Sequence, residues 1–453
     1  MPHVQTADEK YKKMTETPIP RLICGLAVPT IATMLITSIY NMADTFFVGK
    51  IGTSATGAVG IAFSLMAMIQ AIGFTLGQGS GNYISRLLGE KETESASKVA
   101  ATGFFTALVL GAFLMVLGLI FLDPLVYALG ATDTIAPYAR DYVKFILIGM
   151  PYMAASLVLN NLLRFQGSAF YGMLGIGTGG LINIGLDPLF IFGFNMGVAG
   201  AALATIISQF ISFLILLINC SLGGNIKISF RNFTPAWEIY REILRGGLPS
   251  FYRQGLASVS TMVLNFSAGP YGDAAIAAMS IVTRVFQFAL SAMLGFGQGY
   301  QPVCGFNYGA KRYDRVLKGF WFCVKTAVVV LLVMGVLGFI FAPEIISVFR
   351  KDDPEVISFG TTALRFQSTT FVLSAWIVMC NMLMQTIGKG TKASLLAISR
   401  QGLFLLPALA ILPPIIGPLG IQMAQSVSDL CSFLLAVPLG ISVIKELKNS
   451  ICD

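Results

Sequence analysis

The chain has 453 residues, of which 55% are hydrophobic and only 11% are charged, and its mean hydropathy is +0.76. Soluble domains carry about 25% charged residues, so this composition indicates a polytopic membrane protein and argues against soluble domains. The single histidine, His3, and seven scattered cysteines without a C-x-x-C pair argue against histidine-based catalysis, a zinc site and a disulfide framework, so no cofactor is expected.

Breaks in hydropathy divide the chain into twelve apolar segments that are long enough to cross a membrane as helices. None of them alternates polar and apolar residues with a period of two, which argues against a β-barrel. We therefore predict an all-α polytopic membrane protein. The twelve predicted spans are 20–47, 55–86, 95–121, 136–163, 169–193, 197–219, 240–268, 274–303, 315–341, 355–386, 392–412 and 418–443.

The net charge of +8 arises mostly from Lys and Arg residues in the short loops that join the spans. One side of the membrane collects most of these cations, among them Lys91, Arg164 and Lys311, whereas the opposite side carries few. Basic loops stay on the cytoplasmic side during insertion, so both chain ends are expected in the cytoplasm. This placement indicates membrane topology and not a nucleic-acid partner.

The chain also repeats itself at a shift of 220 positions, without a gap across about 70 residues. Gly77-Gln78-Gly79 matches Gly297-Gln298-Gly299, and Lys91 matches Lys311. Each half holds six spans, an even number, so we predict two six-helix lobes related by a parallel pseudo-two-fold repeat, as secondary transporters use. The expected division is a tail at 1–18, an N-lobe at 19–222, a linker at 223–239, a C-lobe at 240–444 and a tail at 445–453.

Polar faces with a carboxylate occur on the first and fifth spans. Asn41 and Asp44 share a face of the first span with Thr37, and Asn183 and Asp187 share a face of the fifth. A carboxylate at membrane depth costs about 2.5–3.5 kcal/mol, and such acids are usually functional, although two structural carboxylates satisfied by hydrogen bonds are the alternative. Neither acid has a counterpart in the second half, so a cation site is predicted in the first half only.

The second half has cations inside its spans instead, at Arg253, Arg284 and Arg400. An arginine in a span usually reaches the interface or pairs with carbonyl groups, and Asp429 in the last span is a candidate partner for one of them. The alternative interpretation is that these arginines line a cavity and contact cargo.

Pro29 and Pro249 occupy matching positions in the first span of each half. Proline inside a helix removes one backbone hydrogen bond and favours a kink. A moving hinge and a static kink are equally good interpretations of these two positions.

Several segments resemble one transporter family: PIPRLICGLAVPTIATMLITSIYNMADTFFVGKIGTSATGAVGI, LNNLLRFQG, LINIGLDPLFIFG followed by GVAGAALAT, and SRQGLFLLP. The chain resembles the multidrug and toxic compound extrusion transporters, most closely the DNA-damage-inducible-protein-F-like branch. The resemblance implies two lobes around a V-shaped cavity in the cytoplasmic membrane of a bacterium or archaeon, in a protein that is a monomer.

The resemblance also implies site residues. Cation binding in that branch is attributed to positions that match Asp44, Asn183, Asp187 and Thr205. A cavity asparagine of the fourth span matches Asn160 or Asn161, and the sequence does not choose between them.

The chemistry of two carboxylates with amide and hydroxyl oxygens suits Na⁺, a hard cation. The same acids can hold protons instead, because removal from water favours the neutral carboxyl group. The expected coupling ion is therefore H⁺, Na⁺ or both. Once emptied, the site would be negative and attract a lipophilic cation, and competition between the two ligands would give antiport.

The sequence leaves three candidate functions. The first is a cation-coupled exporter of drugs and toxic organic cations across the lipid bilayer. The second is a flippase for lipid-linked oligosaccharides or other amphiphiles, which would need a cationic cavity. A membrane-embedded enzyme is the third, but no cluster of catalytic groups supports it, and no filter-like motif supports a passive channel.

Overall fold

The computed structural model describes residues 6–351 and 353–452, and these residues form helices joined by short loops, with no β-strand among them. His3 lies outside the described residues. The helices of the first half are α1 (Ala7–Glu16), α2 (Ile19–Gly49), α3 (Thr53–Gly89), α4 (Thr93–Ile120), α5 (Leu122–Ala128), α6 (Ala136–Phe165), α7 (Ala169–Pro188) and α8 (Gly197–Cys220). The helices of the second half are α9 (Trp237–Ala268), α10 (Asp273–Gly309), α11 (Tyr313–Ile340), α12 (Ala342–Phe349), α13 (Pro354–Thr370), α14 (Leu373–Thr386), α15 (Gly390–Ile398), α16 (Leu405–Ile416) and α17 (Pro418–Cys452).

The predicted all-α fold with two lobes of six spans is confirmed. Within the described residues, ten helical units are long and apolar enough to cross a membrane, and α13 with α14 forms an eleventh span. The twelfth is α9, which is long enough at 32 residues but less apolar because of side chains such as Arg253. Helices α2 to α8 form the N-lobe, and α9 to α17 form the C-lobe.

The predicted span 355–386 is not one straight helix, because α13 and α14 meet at an angle of 55°. Just before the break, the Thr369 hydroxyl donates to the carbonyl oxygen of Phe366 at 2.6 Å. The Thr370 hydroxyl donates to the carbonyl of Gln367 at 3.4 Å. Hydroxyl groups that bond to the preceding turn compete with the backbone ladder and bend helices, so we attribute the bend to this threonine pair.

Helix α6 is the central helix of the N-lobe and packs against α3, α4 and α8. Its buried face includes Tyr142, Ile146 and Leu159, none of which is exposed. Small residues on its neighbours allow close approach: a Cβ atom on Gly111 of α4 would lie 2.7 Å from the Cα atom of Pro151. Close packing of this kind holds helices together in lipid, where apolar burial alone gives little preference.

The internal repeat is present in the backbone as well as in the sequence. Lys91 and Lys311, which follow α3 and α10, both adopt left-handed conformations, with φ of 65° and 57°. Residues other than glycine rarely adopt this backbone conformation, so its occurrence at both matching positions is evidence for a repeated turn. Gly197 and Gly417 also match, with φ of 57° and 65°. The short helices α5 and α12, which hydropathy does not predict, occupy corresponding positions in the two halves.

The two lobes touch at the face that carries both chain ends, which we call the terminal face. A Cβ atom on Gly89 would lie 2.2 Å from the carbonyl oxygen of Phe306, and one on Gly309 would lie 2.0 Å from that of Arg86. Glycine is therefore required on both α3 and α10 where these helices from opposite lobes cross. The contact closes the space between the lobes at the terminal face.

Helix α1 lies across the terminal face and contacts both lobes. The Lys10 ammonium donates to the Ser168 hydroxyl of the N-lobe at 3.1 Å and to the side-chain oxygen of Asn225, which follows the N-lobe. On the C-lobe, Arg312 donates to the carbonyl oxygen of Thr15 at 2.9 Å. The segment predicted as an N-terminal tail therefore contains a helix that bridges the lobes.

Candidate functional site

Four of the predicted site residues meet in one buried cluster of the N-lobe, where α2, α7 and α8 come together. The Asn183 amide donates to Oδ1 of Asp187 and to the Thr205 hydroxyl, both at 3.4 Å. Asp44 of α2 completes the group, and its carboxylate interacts electrostatically with that of Asp187. None of the four side chains is more than 6% exposed. We call Asp44, Asn183, Asp187 and Thr205 the acid cluster.

A pair of adjacent glycines one turn before Asn183 lets α7 fit between its neighbours. A Cβ atom on Gly180 would lie 2.9 Å from the side chain of Ile36 on α2. One on Gly179 would lie 2.8 Å from Cβ of Ser212 on α8. The two missing side chains therefore allow three helices to approach closely enough for their polar groups to meet.

Tyr142 of α6 belongs to the same cluster, although the sequence analysis does not select it. Its hydroxyl donates to Oδ2 of Asp44 at 3.4 Å and also interacts with Thr205. The side chain is completely buried. A buried tyrosine hydroxyl usually has a hydrogen-bond partner, so a tyrosine within an apolar span is the signal that points to this position.

Three oxygens of the acid cluster have no hydrogen-bond partner among the residues that the structure describes: Oδ1 of Asp44, Oδ1 of Asn183 and Oδ2 of Asp187. Buried polar atoms are usually paired, and each contact within the cluster is long for a hydrogen bond. Unpaired carboxylate and amide oxygens are the donors that a hard cation such as Na⁺ prefers, and the carboxylates can instead take protons. The residues present therefore suit the binding of a small cation.

A central cavity of about 290 Å³ lies between the lobes, beyond their contact at the terminal face. Thr37, Asn41 and Asn160 line it, so these candidates lie where cargo has access. Asn161 does not line it, because its side chain is buried and donates to the carbonyl oxygen of Leu157 at 2.7 Å. Asn160 is therefore the cavity asparagine of this pair.

The three intramembrane arginines of the C-lobe have different surroundings. Arg253 lines the central cavity. Arg400 is not among the residues that line this cavity: its Nε donates to Oδ1 of Asp429 at 2.7 Å in a buried ion pair, the pairing that the sequence offers as the alternative to a cavity role. Arg284 is exposed and is also absent from the cavity lining.

Arg164 is not a loop residue, although the pattern of charges in the sequence predicts that it lies in a basic loop. The structure places it at the end of α6, where it lines the central cavity and is only 3% exposed. Its guanidinium donates to the side-chain oxygen of Gln298 on α10 and to Asn161 Oδ1 at 2.6 Å. Arg164 is buried because it contacts the opposite lobe. The hydropathy of the sequence does not predict contacts between lobes, so it could not predict this burial.

The two hinge candidates lie inside unbroken helices. α2 continues through Pro29, and α9 continues through Pro249. Helix α2 carries the acid cluster's Asp44 and also lines the cavity at Thr37. A change in its shape at Pro29 would therefore affect both sites.

A family model for MatE matches the chain twice, over residues 29–189 and 249–409. The two matches are separated by 220 positions, the same shift that aligns the two halves of the sequence. Together they cover more than two thirds of the chain.

Curated relatives and solved structures are similar over nearly the whole length. The Multidrug export protein MepA of Staphylococcus haemolyticus (strain JCSC1435) is 28% identical over 430 residues, covering 94% of each chain. A multidrug resistance MATE family transporter of the MOP superfamily, solved in an outward-facing conformation, has 27% identity and a TM-score of 0.90, with 97% of this chain and 99% of that chain covered. A MOP superfamily transporter from Pyrococcus furiosus Vc1 (DSM3638), described as having a binding pocket of reverse polarity that suggests a different function, gives the same identity, TM-score and two coverages.

Proposed function

Because the chain belongs to the MatE family, the multidrug and toxic compound extrusion transporters that its sequence resembles, we propose that it is a cation-coupled multidrug efflux antiporter. Members of this family are transporters and not enzymes, and relatives named as multidrug export proteins support efflux as the direction. The cargo is small lipophilic compounds, mostly cationic, which bind in the central cavity and leave the cell by alternating access.

The observation that carries the coupling is the set of unpaired oxygens in the acid cluster. Asp44 and Asp187 are buried together, and each keeps one oxygen without a hydrogen-bond donor. Two adjacent buried carboxylates without cations are unstable in their charged form, so a proton or Na⁺ neutralises them. The cluster is therefore the coupling site, and H⁺, Na⁺ or both are the coupling ions.

Coupling follows from the position of the cluster beside the cavity. Tyr40 and Asn41 of α2 line the cavity, and Asp44 lies one turn further along the same helix. An empty acid cluster presents negative charge to this wall and attracts cationic cargo, whereas an occupied cluster does not. Exchange requires that cation and cargo have different affinities in the two facing states, which the change in charge supplies.

The orientation rests on the loop charges. The basic loops at the terminal face support our inference that both chain ends lie in the cytoplasm of a bacterial or archaeal cell, with the lipid bilayer around the helices. The closed terminal face then seals the cavity from the cytoplasm. We infer a monomer divided into an N-lobe (19–222), a linker (223–239) and a C-lobe (240–444), with tails at 1–18 and 445–453. Pro29 and Pro249 are the hinge positions of the two lobes.

One observation favours a second candidate, a flippase for lipid-linked oligosaccharides or other amphiphiles. Arg164 and Arg253 line the central cavity, and no carboxylate of the described residues does. A cavity of this charge accepts anionic headgroups more readily than cations. Efflux and flipping differ in their effect on cells, since only an exporter lowers the intracellular concentration of a drug.

The proposal is tested by drug susceptibility in a bacterial strain that lacks its own efflux pumps. Expression of the chain is expected to raise the minimal inhibitory concentration of ethidium, a lipophilic cation, severalfold. Asp44→Asn and Asp187→Asn are expected to abolish this resistance, because each removes charge from the acid cluster while keeping the shape of the side chain.

The matched control is Asp141→Asn, the same substitution at an exposed acid outside the cluster. It is expected to retain full resistance, and immunoblots of membranes establish that all variants are expressed equally. Wild-type resistance in both cluster variants would refute the coupling site, and unchanged susceptibility with the wild-type chain would favour the flippase.

A further inference from the structure

The floor of the central cavity, at its end nearest the terminal face, holds two arginines from opposite lobes. Arg164 ends α6 of the N-lobe, and Arg253 lies in α9 of the C-lobe. Both line the cavity, together with Ser250 and Gln298. The two guanidinium groups are close enough for their charges to act on each other. We call Arg164, Arg253, Ser250 and Gln298 the cavity floor.

No carboxylate balances these charges among the described residues. Arg164 bonds only to the neutral side chains of Gln298 and Asn161, and its Nε has no partner. The one side-chain hydrogen bond of Arg253 reaches the Ser250 hydroxyl, at 3.4 Å. Of the residues at 6–351 and 353–452, five glutamines and several serines and threonines line the cavity, and no acidic residue does.

The C-lobe shows how this chain satisfies an intramembrane arginine that has a structural role. Arg400 is bound by Asp429 through Nε at 2.7 Å and a second contact at 3.5 Å, and Gln425 supports the same carboxylate. That pair is complete within the protein. Among the described residues, the floor arginines have no such partner, although Arg164 is buried and Arg253 is half-buried, and an unpaired charge away from water is costly.

A ligand that enters the cavity can supply the missing counter-charge. Guanidinium groups bind carboxylate, sulfonate and phosphate oxygens through paired hydrogen bonds, and they do so most strongly out of water. An anionic group on the floor would neutralise Arg253 and pair with the free Nε of Arg164. The apolar part of the same molecule would lie against the apolar lining of the cavity, to which Met34, Phe74 and Leu294 belong.

We propose that the cavity floor is a binding subsite for the acidic group of amphiphilic cargo, a carboxylate, sulfonate or phosphate. This inference rests on the proposed function, since it takes the central cavity as the cargo site. It extends the cargo from lipophilic cations to acidic and zwitterionic amphiphiles. In a zwitterion, the acidic group lies on the floor and the cationic group faces the wall beside the acid cluster.

The test compares two fluorescent ligands that differ only in charge, a dansylamino fatty acid and its methyl ester, on the purified full-length chain. Wild-type protein is expected to bind the acid about tenfold more tightly than the ester, the preference that one charge-assisted hydrogen bond confers. Arg253→Gln is expected to lower the affinity for the acid to that for the ester, and Arg253→Lys to keep part of the preference. Arg365→Gln, at an exposed arginine outside the cavity, is the matched control and is expected to keep all of it.

Arg253 is the primary position because Arg164 also joins the lobes through Gln298, and its loss can unfold the protein. Equal affinity of the wild type for acid and ester would overturn the proposal. So would an equal loss of both ligands in Arg253→Gln, which indicates damage to the cavity and not loss of a charge partner. Displacement of the acid by inorganic phosphate would assign soluble anions as the source, and displacement only by short-chain phosphatidylglycerol would assign lipid headgroups.

Failure of this inference is distinguishable from failure of the proposed function. If the wild type binds the fatty acid and its methyl ester equally well while Asp44→Asn still abolishes ethidium resistance, only the proposed anion subsite is wrong. If Arg253 governs binding of the acid while Asp44→Asn keeps full resistance, only the cation coupling is wrong.

Discussion

Gly247→Ala is expected to separate the lobes at the terminal face. A Cβ atom on Gly247 of α9 would lie 2.0 Å from the carbonyl oxygen of Thr75 on α3 and 2.8 Å from its carbonyl carbon. Non-bonded heavy atoms pack at roughly 3.5 Å, so α9 has to move away from α3 by more than about 1 Å. Overpacking of this kind costs about 1–3 kcal/mol, and it acts only on the state in which the terminal face is closed. A change of that size shifts a two-state ratio by about 5- to 150-fold.

The assay is the distance between spin labels at Lys98 and Lys318, exposed positions near the starts of α4 and α11 on opposite lobes. Pulsed electron paramagnetic resonance in lipid nanodiscs is expected to show a longer distance in Gly247→Ala than in the wild type. Gly255→Ala is the matched control, because it lies on the same helix and its added Cβ has no heavy atom within 4 Å. Identical distance distributions in Gly247→Ala and Gly255→Ala, with both proteins folded, would refute the reasoning.

Two further predictions concern buried charges outside the cavity. Removal of either Arg400 or Asp429 leaves an unpaired charge in the C-lobe and is expected to lower the stability of the protein by about 3–5 kcal/mol. The double variant Arg400→Leu with Asp429→Leu is expected to recover most of that loss. The melting temperature in detergent measures both effects. A double variant as unstable as either single would contradict this account. Burial, with a contribution from the charge of Lys13, lowers the pKa of Lys10 from 10.5 to about 8. Lys10 of the undocked helix keeps its proton up to about pH 10.5, so docking of α1 is expected to strengthen as the pH rises from about 8 to about 10.5. The anisotropy of a dye at Asp8→Cys measures this docking. A Lys10→Met variant that showed the same pH profile would refute this explanation.

The fold was largely predictable because it follows from hydropathy and from the repeat. The apolar segments locate the spans, and a shift of 220 positions aligns turns as specific as those at Lys91 and Lys311. Bends within a span are harder to predict from the sequence, because they depend on hydrogen bonds between side-chain hydroxyl groups and the backbone. We attribute the bend before α14 to the threonines at 369 and 370, and their hydrogen bonds cannot be read from the hydropathy of the segment.

The surroundings of single polar residues were less predictable, because they depend on helix rotation and on the opposite lobe. Asn160 and Asn161 differ by about 100° around α6, and only the packing of α6 decides which one lines the cavity. Arg164 has the sequence context of a loop residue, and a contact from Gln298 of the other lobe makes it part of the cavity. Tyr142 joins the acid cluster from α6, a helix whose one acid, Asp141, is exposed and lies outside the cluster.

The central claim is that Asp44 and Asp187 form one cation site that couples to transport. Residues that act as a unit do not add their effects, so loss of either acid already destroys a shared site. Two separate sites would instead show independent, multiplicative losses.

The most direct measurement is ethidium transport in proteoliposomes, driven by a proton gradient alone and then by a sodium gradient alone, for Asp44→Asn, Asp187→Asn and the double variant. We expect both single variants to lose gradient-driven transport and the double variant to be no worse than the worse single. The gradient that drives the wild type identifies the coupling ion. Partial transport in each single variant, still coupled to its gradient, with a multiplicative loss in the double variant, would contradict a shared site.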